Sequence, residues 1–537
     1  MSIDSVQPRI AAVISAMFFA VFAVFSAAPA QAQVTAFKQA VAEAAARDPD
    51  VAAFYRANNY ETLWTGPSEV ERARRAQLMQ AIASADDHGL SVARYDPQGV
   101  MDMLAAVETP RDRGFAEVAL SKVFLKYARD IQTGILIPNR IDSGIVREVA
   151  YRDRTETLSG LADSRPSTFF RALPPRSLEY NALLKEKIKM ERLLSAGGWG
   201  PKVQSSSLKP GASGPQVVAL RNRLMAMGYL GRSNTQVYDN DIASAVQAFQ
   251  VAHGLNADGV AGGETMKQIN VSVRERLQSV FVALERERWF NTERGKRHIL
   301  VNLPDFTAKI VDDGNVTFQT RSVVGARTEG RPTPEFSDTM DHMVINPSWY
   351  VPRSIITKEY LPALRRNPNA VRHIQITDSR GRVVNRSAAN FSRYTARNFP
   401  YAMRQPPGPR NALGLVKFMF PNKYNIYLHD TPAKDLFSRD VRAFSHGCVR
   451  LNDPFDFAYV LLGAQEADPE GFFQRTLKTG RETRVNLEQP VPVHIIYRTA
   501  VTNARGHTEY RADIYGRDAK IWQALSQAGV VLGGVQG

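Results

Sequence analysis

Apolar positions fall at helical spacing along the first part of the chain and at period two along the last, so the sequence divides by pattern alone. Residues 36–46, 70–85 and 115–133 carry apolar side chains three and four apart, with breakers between them at Asp96-Pro97, Pro110 and Pro138. They predict a helical region over 34–200, with Tyr55, Tyr60 and Trp64 in its core. A passage rich in Gly, Ser and Pro at 196–215 reads as a linker. Three short helices follow within 205–271. In the first, Val217, Leu220, Leu224 and Met227 share a face, with Ser213 placed to cap it and Gly228 to end it. The second covers 242–252, and the third runs from Thr265 to near Ile269. A connector at 272–295 is dense in charge, with Arg274, Glu275, Arg276, Glu285, Arg286, Glu287 and Arg288, and is expected to be a helix with a solvated face.

After Gly295 the period changes. Segments 299–303, 307–311 and 316–324 alternate as strands, and Asp312-Asp313-Gly314-Asn315 supplies a turn. Residues 342–351 continue the pattern, and strands resume at 416–418, 426–428 and 491–497. Between them, 353–405 interrupts: 355–364 looks helical, the rest loop-like. An insertion of that length between strands is expected to act as a lid. The expected class is multidomain α+β: a helical scaffold, a three-helix domain, a β-rich domain over 296–485, and a C-terminal strand and tail (486–537) packing on the scaffold or the β-rich domain.

Composition adds an address and a partner class. Arg9, the apolar run 10–28 and the Ala30-Gln31-Ala32 triplet have the parts of a secretory signal peptide over 1–32, with an uncleaved anchor as the alternative. The net charge of +15 is unchanged by losing that segment, because Asp4 and Arg9 cancel. Excess positive charge favours polyanions, and outside the cytoplasm that means a carboxylate-rich wall polymer. No zinc spacing, aromatic-studded RNA motif or basic helix points to nucleic acid.

The candidate chemistry lies within 424–451. It holds the only cysteine, Cys448, preceded by Ser445-His446-Gly447 and followed by Arg450, with His429 upstream. A thiol attacks as the thiolate, and neighbouring histidine or arginine is expected to lower its pKa. An unpaired thiol in an exported chain is either used or buried as a small inert hydrophobe. If its segment is extended, His446 lies two residues from Cys448 on the same face and rivals His429 as the base. Arg450 is a candidate carboxylate clamp or a structural ion pair. Tyr427 and Trp349 are candidate substrate walls or core residues, and Ser445 is a supporting hydroxyl. The remaining histidines lack ligand spacing, so neither metal nor cofactor is expected.

Two resemblances follow from these residues. Val217, Leu220 and Leu224, Ala248-Phe249-Gln250, Gly254-Leu255, Asp258-Gly259 and Thr265 resemble the peptidoglycan-binding domain family. His429, fifteen intervening residues and Ser445-His446-Gly447-Cys448-Val449-Arg450 resemble the YkuD-type L,D-transpeptidase catalytic domain, and the whole layout looks like the large periplasmic L,D-transpeptidases of Gram-negative bacteria. The resemblance implies a periplasmic monomer acting on peptidoglycan stem peptides. Cys448 would be the nucleophile through a thioester, His429 the general base, the amides of His446, Gly447 and Cys448 the oxyanion hole, and the products 3→3 cross-links. The alternatives it leaves are an L,D-carboxypeptidase, a protein-anchoring or hydrolytic relative using the same thioester, and a wall-binding scaffold without activity.

Overall fold

The computed structural model describes residues 28–503 and 507–532, with side chains from residue 35 onward. Most of the expected signal segment therefore lies outside the described residues. Among the described residues no helix is long and apolar enough to cross a membrane.

The first part of the chain is helical. Its longest helix, Pro110–Thr133, starts from a Thr109/Asp112 capping box and packs against Ala28–Ala45. Tyr55 and Trp64 are fully buried in the shared core, as their apolar bulk suggests, and Tyr60 packs against it.

The connector departs from expectation. Its helix, Val273–Trp289, is capped by Ser272 and Glu275, but the charged run is not solvated: Glu285, Arg286, Glu287 and Arg288 are each 5% exposed or less. Every one of these charges meets an opposite charge when buried. Arg288 pairs with Glu285 at 3.0 Å, while Arg286 bridges Glu335 at 2.6 Å and Asp518 at 3.0 Å. Glu287 takes Arg294 and Arg498. Since Glu335, Arg498 and Asp518 are 49 to 232 residues away along the chain, periodicity within the helix could not reveal them. The helix is an axis wedged between the scaffold on one side and the β-rich domain and tail on the other.

The three-helix domain, Pro215–Met227, Asn240–Ala252 and Gly263–Ile269, closes on Val217, Leu220, Leu224, Val246 and Phe249. Ser213 does not cap the first helix. Gly214 occupies that position without a side-chain bond, and Ser213 bridges to Val237. Gly228 ends the helix with φ +83°, the left-handed conformation a glycine adopts freely. Gln250 donates to Asp258 at 2.8 Å, to Val260 O and to Thr265, and accepts from the Gly259 amide at 2.9 Å. The polar residues of the recognised pattern thus hold the turn in shape.

In the β-rich domain the strands are β1 (Arg297–Asn302), β2 (Thr307–Asp312), β3 (Asn315–Gly325), β4 (Phe336–Ile345), β5 (Trp349–Tyr350), β6 (Gln375–Thr377), β7 (Ala402–Gln405), β8 (Val416–Met419), β9 (Leu428–His429), β10 (Ala443–Ser445), β11 (Val449–Leu451) and β12 (Thr483–Ile496). The main sheet runs β10-β3-β11-β9-β8-β4-β12-β1-β2, and β2 pairs back onto β3, so the sheet closes on itself. Asp313 and Gly314 both have positive φ, the hairpin geometry whose twist matches its strands. The strand expected at 491–497 is the second half of β12, which sits between β4 and β1 inside the sheet. β9 is shorter than expected, because the Asn422 side chain bonds Phe420 O, Ile426 O and the amides of Tyr424 and Ile426, holding the preceding segment as a loop.

The insertion is more ordered than its sequence suggested. Residues 353–366 form one helical stretch with a π turn at Ile356–Tyr360, and β5, β7 and β6 make a small sheet over a separate core that includes Ile355, Leu364, Phe391, Phe399 and Met403.

Candidate active site

Strand register assembles the site. β11 runs parallel to β9 with Val449 opposite Leu428 and Arg450 opposite His429. Val449 and Leu428 are fully buried in the sheet core. Side chains alternate faces along a strand, so His429 and Arg450 share the other face, and Cys448 adjoins it across from Tyr427. Tyr427 neighbours the Cys448 thiol closely enough for each to shift the other's titration, and Trp349 influences the Tyr427 hydroxyl in the same way. Tyr427 is therefore brought to the thiol, and Trp349 of β5, just before the insertion, to Tyr427. Cys448 Sγ itself lies 3.5 Å from Asn425 O.

His429 is buried, and its Nδ1–H donates to Asp430 O, which leaves Nε2 as the basic nitrogen. Burial, then the Arg450 cation, depresses its pKa to about 3. Desolvation also pushes the half-buried Cys448 thiol up to about 11, outweighing the influence of Tyr427 and the Arg450 charge. The expectation that the neighbouring cation would bring the thiol toward neutrality is thus reversed: desolvation penalises the thiolate by more than Arg450 returns. At neutral pH the thiol and the imidazole are each neutral. With a raised pKa, the thiolate fraction grows as pH rises toward 11, so alkylation of Cys448 by iodoacetamide should climb roughly tenfold per pH unit between about 7 and 10. A plateau below about pH 8 would instead indicate a thiolate–imidazolium pair.

The turn 445–448 is held from inside. Ser445 Oγ donates to Cys448 O at 2.5 Å and accepts from the Gly447 amide at 3.1 Å, while Thr333 Oγ1 donates to Gly447 O at 2.7 Å. Two expectations change. The Gly447 amide is engaged and is not free to meet an oxyanion, whereas the amides of His446 and Cys448 have no acceptor among the described residues. The turn is also not extended: Gly447 has φ +118°. His446 accordingly leaves the face of the thiol, and its Nε2 lies 2.7 Å from Glu359 of the π turn.

Arg450 has no ion pair among the described residues, and its Nε is buried without a partner. No ion pair among the described residues thus supports the structural reading of Arg450.

Residues 296–491 match the family model described as the L,D-transpeptidase catalytic domain, residues 49–186 match "Scaffold domain", and residues 213–269 match "Putative peptidoglycan binding domain". The chain carries a YkuD-type L,D-transpeptidase catalytic domain. It is 34% identical over 226 residues to a "Putative L,D-transpeptidase" of Haemophilus influenzae, a match covering 42% of this chain and 45% of that protein. It is 31% identical over 129 residues to the N-acetylmuramoyl-L-alanine amidase CwlL of Bacillus licheniformis, covering 23% and 33%. The chain thus spans less than half the length of each of these relatives. A solved L,D-transpeptidase of Xylanimonas cellulosilytica aligns at 16% identity over 55% of this chain and 98% of that one, with a TM-score of 0.16.

Several residues of the transpeptidase domain's site escaped the sequence. Glu359 accepts from both His446 and Arg331, each at 2.7 Å, and so ties the insertion to the turn. Thr333, Asn425 and Asp430 act through a hydroxyl or backbone carbonyls. A backbone contact has no residue signature. Since all three members of the Glu359 clasp are over a third exposed, the tie is worth at most about 1 kcal/mol. Glu359→Ala should raise hydrogen exchange across 353–366 by up to about fivefold with little loss of global stability; unchanged exchange there would mean that the insertion is held by its other contacts.

Proposed function

We propose that this protein is a periplasmic peptidoglycan L,D-transpeptidase that forms 3→3 cross-links through a cysteine thioester. The observation that carries the reading is the register placing His429 and the unpaired Arg450 side by side, with Cys448 and Tyr427 adjoining them. In the first step Cys448 Sγ attacks the carbonyl of the donor stem peptide as its proton passes to His429 Nε2. The tetrahedral oxyanion meets the amides of His446 and Cys448, each donor being worth roughly 3 to 4 kcal/mol in such sites. The C–N bond to the terminal D-alanine then breaks, and His429 returns the proton to the leaving amine. In the second step an acceptor stem-peptide amine attacks the thioester, His429 takes its proton, and the S–C bond breaks to restore the thiol. Arg450 receives the donor carboxylate bidentately.

A neutral resting pair suits this sequence, because the thiolate is generated only as the base accepts its proton. The test is incubation of the full chain with purified disaccharide-tetrapeptides and mass spectrometry of products and protein. Dimers, with an acyl adduct on the peptide bearing Cys448, are expected. Trimmed monomers without dimers would identify a carboxypeptidase, and absence of any adduct would sink covalent catalysis.

A further inference from the structure

A large cleft lies away from the thiol, where the three-helix domain, the scaffold, the β-rich domain and the tail meet. It has a volume of about 1230 Å³, somewhat above the range of ordinary ligand sites. Three of the most exposed large apolar side chains converge on it from three parts of the chain: Leu178 of the scaffold helix Leu178–Ser195 at 89% exposure, Val251 of the helix Asn240–Ala252 at 63%, and Val316 of β3 at 52%. Single exposed apolar residues need no explanation, but three facing one cavity do.

The charges of the cleft are unevenly committed. All four acids are engaged. Asp305 pairs with Arg511 and accepts from Thr307, Glu509 pairs with Arg511, Glu179 accepts from the Thr502 amide at 2.9 Å, and Asp440 accepts from the Asn256 amide at 2.8 Å. The cations Lys309, Arg321, Arg439 and Arg442 have no ion pair among the described residues. Arg321 donates only to Phe437 O. Arg442 is 7% exposed, donates to Arg439 O, and leaves its buried Nε without an acceptor. A buried guanidinium with an unsatisfied donor is costly unless something supplies the acceptor.

We propose that this cleft is a second binding site, which takes a carboxylate-bearing peptide with small apolar side chains, the chemistry of a peptidoglycan stem peptide. The four unpaired cations meet its carboxylates, and Leu178, Val251 and Val316 cover its methyl groups. The site sits next to the catalytic strands. Arg321 lies two residues along β3 from Val323, which pairs with Arg450, a separation of about 7 Å at strand rise. A wall chain held in the cleft therefore keeps further stem peptides at high local concentration beside the thiol. The identity of the occupant rests on the function proposed above; the site itself does not need the thiol.

The test uses the full chain carrying Cys448→Ala, titrated calorimetrically at low salt with disaccharide-tetrapeptide and with the same probe whose carboxyls are amidated. Two binding events are expected for the acidic probe. Arg321→Glu with Arg439→Glu, both exposed positions, should weaken one of them at least tenfold and spare the other, and Leu178→Asp should weaken the same one. Arg450→Gln should remove only the other. A single event that survives the charge reversals, or equal binding of the amidated probe, overturns the proposal. If the catalytic reading alone fails, so that the wild-type thiol takes no acyl adduct, the charge-sensitive event remains.

Discussion

Cys448→Ala and His429→Ala should each lower the rate of dimer formation by roughly 10⁴-fold or more, and the double variant should be no slower than either alone. The reason is that nucleophile and base act as one unit. A thiol raised to about 11 has almost no thiolate at neutral pH, so without His429, whose strand pairs with the one Cys448 leads into, the attack loses its proposed base. An imidazole lowered to about 3 does nothing alone for a carbonyl that no nucleophile attacks. Residual turnover then comes from binding and the two free amides, and is common to all three variants. His446→Ala makes the contrast. Its imidazole points at Glu359 across a non-extended turn, so its loss should cost far less than that of His429. Rates within about tenfold of wild type for His429→Ala, with collapse for His446→Ala, would exchange their roles.

What the sequence made legible was whatever short-range pattern determines. Alternation gave β1, β2 and β3, and Asp313-Gly314 gave the hairpin between them, because those choices depend on neighbours along the chain. The core residues of the three-helix domain followed from one helical face. Cys448 stood out as a candidate nucleophile because it is the one cysteine of the sequence and is set among histidine, glycine and arginine. What stayed hidden depends on partners distant in sequence. The run from Glu285 to Arg288 reads locally as a wet helix face, and only Glu335, Arg498 and Asp518 make it buried. The direction of the Cys448 shift depends on how much chain covers it, which no motif records. The Gly447 amide donates to the Ser445 hydroxyl, a contact that the motif alone does not reveal. The turn's φ angle and the strand register, which set His429 and His446 in different surroundings, are likewise not written in the motif.

Arg517→Met should destabilise the protein by about 3 kcal/mol and also slow acyl transfer, although Arg517 touches neither thiol nor imidazole. The residue is 2% exposed. Its Nη1 pairs with Glu335 at 3.2 Å and its Nη2 donates to Thr333 O at 2.9 Å. Thr333 in turn donates through Oγ1 to Gly447 O, and accepts at that oxygen from the Gly325 amide. Tyr515, two residues earlier in the tail, donates to Gly325 O at 2.6 Å. The tail thus holds the strand end against which the catalytic turn is set, and Arg286 joins it to the connector through Glu335. Methionine keeps much of the volume but leaves Glu335 with one cation instead of two and Thr333 O without its donor. A stability loss alone would not show positioning, so the control is Leu220→Ala in the core of the three-helix domain, expected to cost about 2 to 5 kcal/mol while leaving turnover intact in the folded fraction. Denaturant midpoints measure the first effect, and kcat at saturating donor measures the second. Arg517→Met should lower kcat at least tenfold with KM little changed, because the turn carrying the amides of His446 and Cys448, proposed to meet the oxyanion, shifts while Arg450 stays in its strand. Equal kcat for the two variants would reduce Arg517 to a structural ion pair.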